Sequence, residues 1–153
     1  MTTKQSAGGK DALALLREDH ANVKKAFAEF EELGDRAYVG KKRLAEEICK
    51  DLELHTRIEE EIFYPAVRRA LKDAAPLLDE ALVEHGSAKT LIKQIQGMDA
   101  SAELFDATVK VLSEYIDHHV KEEEQEMFPL VRKTDLDLKV LGEELFARKQ
   151  KLA

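Results

Sequence analysis

Four stretches of this chain set their apolar residues at steps of three and four, and every one of these stripes also carries a histidine. The first runs Leu13, Leu16, His20, Val23, Phe27, Phe30; the second Leu44, Ile48, Leu52, His55, Glu59, Ile62, Ala66. The third runs Leu78, Leu82, His85, Ala88, Ile92, Ile95; the fourth Phe105, Val109, Leu112, Ile116, His119, Glu123, Met127, Leu130. Such steps return to one face of an α-helix, so the pattern predicts four amphipathic helices. Gly34, Asp35 and Gly40 bracket the first connection, Pro76 suits the first turn of the third helix, and Gly97, Asp99 and Ser101 end it. Short connections between such helices predict an all-α, antiparallel up-down-up-down four-helix bundle.

An additional C-terminal helix is expected from about Leu136 to Leu152, amphipathic through Leu138, Leu141, Leu145 and Phe146. It either packs on the bundle or makes a homodimer contact, and the pattern does not choose. The expected organisation is a flexible tail over residues 1–11, the bundle over 12–133 and the helical extension over 134–153.

Composition closes off several classes. With 31 acidic against 24 basic residues and no basic cluster, the chain lacks the electrostatic footprint of a DNA- or RNA-binding protein. No apolar run approaches the ~20 residues that span a bilayer, and the start, MTTKQSAGGKDA, lacks the apolar middle of a signal peptide. The single cysteine, Cys49, forbids an internal disulfide and a Cys-rich zinc site. A cytoplasmic chain with neither nucleic-acid nor membrane partners is the expectation.

The stripes are unusual for what they place inside. His20, His55, His85 and His119 all fall on core-facing positions, with Glu59 and Glu123. One histidine there is ordinarily a hydrogen-bonded core residue. An inward stripe covers roughly a third of a helix, so four chosen histidines landing there by chance is on the order of one in eighty. Each polar group buried without a partner costs roughly 2–7 kcal/mol, against a domain stability of about 5–15 kcal/mol. The six must therefore compensate one another as an ion-pair network, or share a cation.

A repeat connects four of them. HTRIEEEIFYP at residues 55–65 returns as HVKEEEQEMFP at 119–129, with the shared skeleton H-x3-E-E-x4-P-x-V-R running to Arg68 and Arg132. The i, i+4 spacing stacks imidazole and carboxylate on one face in His55/Glu59 and in His119/Glu123. Imidazole and carboxylate without thiolate suit iron, manganese or zinc, and two carboxylates among four imidazoles can bridge two ions. Neither H-E-x-x-H nor the Glu-x-x-His of ferritin-like di-iron bundles occurs at these histidines. His118 and Glu122 also stand four apart, but the repeat selects His119 and Glu123 and leaves His118 as an exposed flank. Pro65 and Pro129 are expected to kink or end their helices beyond each glutamate. Glu60 and Glu124 sit one step off the stripe and read as a solvated face, with support of the ligands as the alternative.

This ordered set resembles the hemerythrin-like, or HHE cation-binding, domains, whose pattern H…HxxxE…H…HxxxE is met by His20, His55, Glu59, His85, His119 and Glu123. The resemblance covers roughly residues 12 to 133 and includes the tails ending Tyr64-Pro65 and Phe128-Pro129. It implies a four-helix bundle around two Fe ions, an oxo- or hydroxo-bridged di-iron centre. His20 and His55 would hold one ion, His85 and His119 the other, with Glu59 and Glu123 bridging. Oxygen-carrying hemerythrins resemble this chain except one turn after the third-helix ligand, where they look to have a further histidine and this chain has Lys89. That departure implies a more open, more symmetric centre, better suited to redox chemistry than to reversible carriage. Tyr115, one turn before His119, is a candidate for an extra oxygen ligand, with a core-edge position as its alternative.

The implied function is binding or converting small oxidants at an open di-iron site: peroxide disproportionation of a catalase- or peroxidase-like kind, dioxygen binding or nitric oxide handling. An iron- or oxygen-binding or sensing module without turnover is the alternative, and a metal-free bundle with a polar core is the third.

Overall fold

The computed structural model describes residues 9–153, so residues 1–8 of the expected tail lie outside the described residues. The first stripe forms α1 (Ala12–Glu32), started by Asp11, whose side chain accepts from the Ala14 N–H at 2.8 Å. That bond satisfies one of the donors a helix leaves open at its first turn. The second stripe forms α2 (Tyr38–Ile58), which passes through a π-turn (Glu59–Phe63) into α3 (Tyr64–Ala70). A 3-10 turn (Lys72–Ala74) leads into α4 (Ala75–Gln96), with Pro76 in its first turn, where the missing N–H has no partner to lose. The fourth stripe repeats the second: α5 (Phe105–Glu122), a π-turn (Glu123–Met127) and α6 (Phe128–Arg132). The C-terminal helix is α7 (Leu138–Leu152), and the described residues contain no strand.

The bundle pairs α1 with α2, α4 with α5, and α2 with α4, while α7 lies against α1 and α2. The C-terminal helix thus takes the first of its two expected placements. Leu141 and Leu145 are buried among Leu13, Leu16, Val67 and Phe128, so its apolar face is covered by its own chain. Gly142 makes this approach possible: a Cβ there would lie 2.5 Å from the Lys10 carbonyl oxygen and 2.8 Å from the Asp11 carbonyl carbon.

Neither proline ends its helix, contrary to one of the two outcomes expected. In an α-helix each would leave the carbonyl four residues back unpaired and press its ring against it. Here the Tyr64 N–H bonds the Glu59 carbonyl and the Phe128 N–H bonds the Glu123 carbonyl, five residues back, the spacing of a π-turn. Both widened turns begin at the repeated glutamates. The rest of the repeat is structural. Val67 and Val131 are fully buried, Arg68 pairs with Asp79 near the start of α4, and Arg132 pairs with Asp11 at the start of α1, each at 2.8 Å.

The buried apolar side chains form two clusters. One gathers Leu13, Leu16, Phe63, Leu78, Phe128 and Leu145; the other Val23, Phe30, Ile48, Ile92, Phe105 and Leu112. Cys49 lies unpaired in the second, where burial, aided by the Glu53 charge, pushes its thiol up to about 12. On the four long bundle helices, His20, His55, His85 and His119 each lie between the two clusters in sequence.

Candidate metal centre

All four stripe histidines turn Nε2 inward and Nδ1 outward, and each Nδ1 meets a carboxylate. His20 Nδ1 is 2.6 Å from Glu124, His55 Nδ1 2.9 Å from Asp19, His85 Nδ1 2.7 Å from Glu60, and His119 Nδ1 2.7 Å from Glu84. A carboxylate there fixes the ring and the tautomer, leaving the Nε2 lone pair for the interior. The outer carboxylates follow the two-fold rule of the sequence. Asp19 and Glu84 each precede a histidine of the set and hold the histidine of the next helix. Glu60 and Glu124 each follow an inner glutamate and hold a histidine on a neighbouring helix.

The inner atoms form two overlapping sets. His20 Nε2 lies 3.1 Å from Glu123 Oε1 and His55 Nε2 3.2 Å from Glu59 Oε2. On the other side, His85 Nε2 lies 3.1 Å from Glu59 Oε1 and His119 Nε2 3.1 Å from Glu123 Oε2. Each glutamate thus sends one oxygen to each set. Within each set the ligand atoms lie within 4.8 Å of one another. His20 Nε2, His55 Nε2, Glu59 Oε2 and Glu123 Oε1 are buried, and although they face one another at these distances none makes a well-aligned hydrogen bond. Four inward lone-pair atoms so poorly aligned with one another in a closed interior fit cations better than they fit one another.

Electrostatics reports the same crowding. Burial opposes a charge on His55, yet Glu59 and Asp19 raise its pKa to about 10. Burial likewise opposes a charge on His119, but Glu123 and Glu59 raise it to about 12. Burial pushes the Glu59 carboxyl up, and the surrounding imidazoles more than reverse this, holding it well below the usual range. Without cations, protons on His55, His85 and His119 are what offsets the two buried carboxylates.

The six residues singled out in the sequence thus come together, and His118 does not join them. Its side chain is 65% exposed, beside Glu122 and Glu84 on the surface. One reading is corrected, and of the two readings of Tyr115 the core-edge one holds. Glu60 and Glu124 are not a solvated face but anchors of His85 and His20, and Lys89, 46% exposed, reaches Glu60 Oε1 at 2.8 Å. Tyr115, 45% exposed, stands at the core edge, while the tyrosine inside the centre is Tyr64. The Tyr64 hydroxyl contacts Glu59 at 3.2 Å, His85 at 3.3 Å, His119 at 3.4 Å, and donates to Glu123. Sequence reasoning missed Asp19, Glu84 and Tyr64. The first two could have been found as acids directly preceding His20 and His85, and Tyr64 as the odd partner of Phe128 in the repeat.

A small cavity of about 20 Å³ abuts the four imidazoles, walled by Val23, Leu52, Ala88 and Ile116. Its lining excludes Glu59, Glu123 and Tyr64, which lie on the other side of the histidines. A wider groove of about 680 Å³ runs between α1 and α5 and reaches His20 and Glu124.

Comparison with known proteins agrees with this geometry. The sequence pattern described as hemerythrin HHE cation binding domain matches residues 11–131. A crystal structure of a hemerythrin HHE cation binding domain-containing protein from Mycobacterium kansasii is similar over 93% of this chain and 86% of that one, with a TM-score of 0.79 and 26% identity. A protein named DNA nickase from Nostoc sp. (strain PCC 7120) is 31% identical over 77% of this chain. The match spans only 32% of that relative's length.

Proposed function

Because the chain belongs to the hemerythrin HHE cation-binding domain family, we propose that it holds two iron ions in this buried layer and presents them to a small oxidant. His20 and His55 serve one ion, His85 and His119 the other, and Glu59 and Glu123 serve both. The carrying observation is the pair of ligand sets that share two carboxylates and contain four buried atoms without a well-aligned hydrogen bond. Bound there, the ions would supply redox electrons and open coordination positions.

The chain's own residues set the rest. Asp19, Glu60, Glu84 and Glu124 hold the imidazoles in the orientation that directs Nε2 inward. Val23, Leu52, Ala88 and Ile116 restrict the cavity to about 20 Å³, close to the least space that one water-sized molecule needs. Peroxide, dioxygen and nitric oxide are of that size, and larger organic substrates are not. Peroxide is the preferred reactant, with disproportionation as the reaction. A second reading, an iron or oxygen sensor, is favoured by one contact: Lys149 of α7 reaches Asp19 at 2.5 Å, and Asp19 holds His55. This ties the centre to a surface helix.

Protein loaded with iron(II) under anaerobic conditions should react with peroxide and evolve dioxygen over many turnovers. A single oxidation of the iron without turnover, together with a change in α7 protection from hydrogen exchange, would favour the sensor. A stable, reversible complex with dioxygen would overturn the preference for redox chemistry.

A further inference from the structure

We propose that Tyr64 is a seventh protein ligand, placing its oxygen on the His85/His119 position alone and making the two metal positions unequal. This rests on the two-iron reading above. In the repeat, Tyr64 corresponds to Phe128, and this is the one place in the centre where the two halves differ in a donor atom. Phe128 offers only a ring, stacked on His20 at a centroid distance of 6.1 Å.

The spacing of the donors carries the argument. For bonds of about 2.1 Å in an octahedron, adjacent ligands stand about 3.0 Å apart and opposite ones about 4.2 Å. Glu59 Oε1 and His119 Nε2 are 4.0 Å apart, as opposite ligands would be. His85 Nε2 is 3.1 Å from Glu59 Oε1 and 3.2 Å from His119 Nε2, as a neighbour of both would be. The Tyr64 hydroxyl touches all four donors: Glu59, Glu123, His85 and His119. A vertex adjacent to four others has the sixth directly opposite. The remaining position therefore lies across from Tyr64, on the side of the histidines where the small cavity opens.

The consequence is directional. With Tyr64 bound, the His85/His119 position would have five protein donors, leaving a single position for a bridge or a small ligand, and the His20/His55 position would have four. On binding, the oxygen–hydrogen bond of Tyr64 gives way to an oxygen–metal bond, the proton leaves to solvent, and no electron moves.

Resonance Raman and visible absorption of the iron(III)-loaded protein test this without an activity assay. A coordinated phenolate gives a visible charge-transfer band and enhanced ring modes. Both should be present in the native protein, persist in Tyr115→Phe, and vanish in Tyr64→Phe while two irons per chain remain. Two irons with no phenolate signature in the native protein would overturn the assignment, whether or not the variant folds, and leave the di-iron reading intact. A signature lost in Tyr115→Phe instead would overturn it too. Failure to take up any metal would sink both inferences together.

Discussion

At the scale of single residues, the centre is built in two layers that differ in how plainly the sequence displays them. His20, His55, Glu59, His85, His119 and Glu123 stand out because each interrupts an apolar stripe, and burying them is costly enough to demand a reason. The outer carboxylates do not interrupt anything. Glu60 and Glu124 fall one step off the stripe, and helical periodicity reports which way a residue faces, not which neighbouring helix it meets. Their contribution should nevertheless be measurable. Glu60→Gln leaves His85 Nδ1 beside a neutral amide and deprives Lys89 of its partner. Loss of such an anchor typically weakens metal affinity about 10–100-fold, and competition with a chromophoric chelator should read a loss of that size. His118→Ala should leave metal content unchanged. If it empties the centre and His119→Ala does not, the register adopted for α5 is wrong.

At the scale of elements, the four helices were legible because their stripes are long and regular, and the capping and turn residues agree with them. The π-turns were not. Proline in a helical pattern signals an interruption, but the sequence does not say whether the chain stops, bends or widens by one hydrogen bond. The tight packing of Phe63, Val67, Phe128 and Val131 at and beyond the two π-turns keeps each helix going. The C-terminal helix was legible as amphipathic but not as docked, because Gly142 gives its reason only beside Lys10 and Asp11. Gly142→Ala places a carbon against backbone that cannot rotate aside. Overpacking of this kind costs about 1–3 kcal/mol, so urea unfolding should show a loss in that range. A change within about 0.5 kcal/mol, the usual range for surface positions, would mean that α7 does not sit where it is described.

At the scale of the whole molecule, a polar layer lies between two apolar cores, so cations there couple to the stability of the entire bundle. A ligand at a hundred times its dissociation constant adds about 2.7 kcal/mol. At about 2–4 °C per kcal/mol for a domain of this size, metal removal should lower the melting temperature by roughly 5–10 °C. No described helix is long and apolar enough to cross a membrane. In the proposed centre, Glu59 and Glu123 join two metal positions into one. Metal content, measured on protein loaded without oxygen and then desalted, tests it most directly when native protein is run beside Glu59→Ala and Glu123→Ala. The predicted result is two ions per native chain, with both positions emptied together by either substitution. One tightly held ion per chain, indifferent to both substitutions, would contradict it.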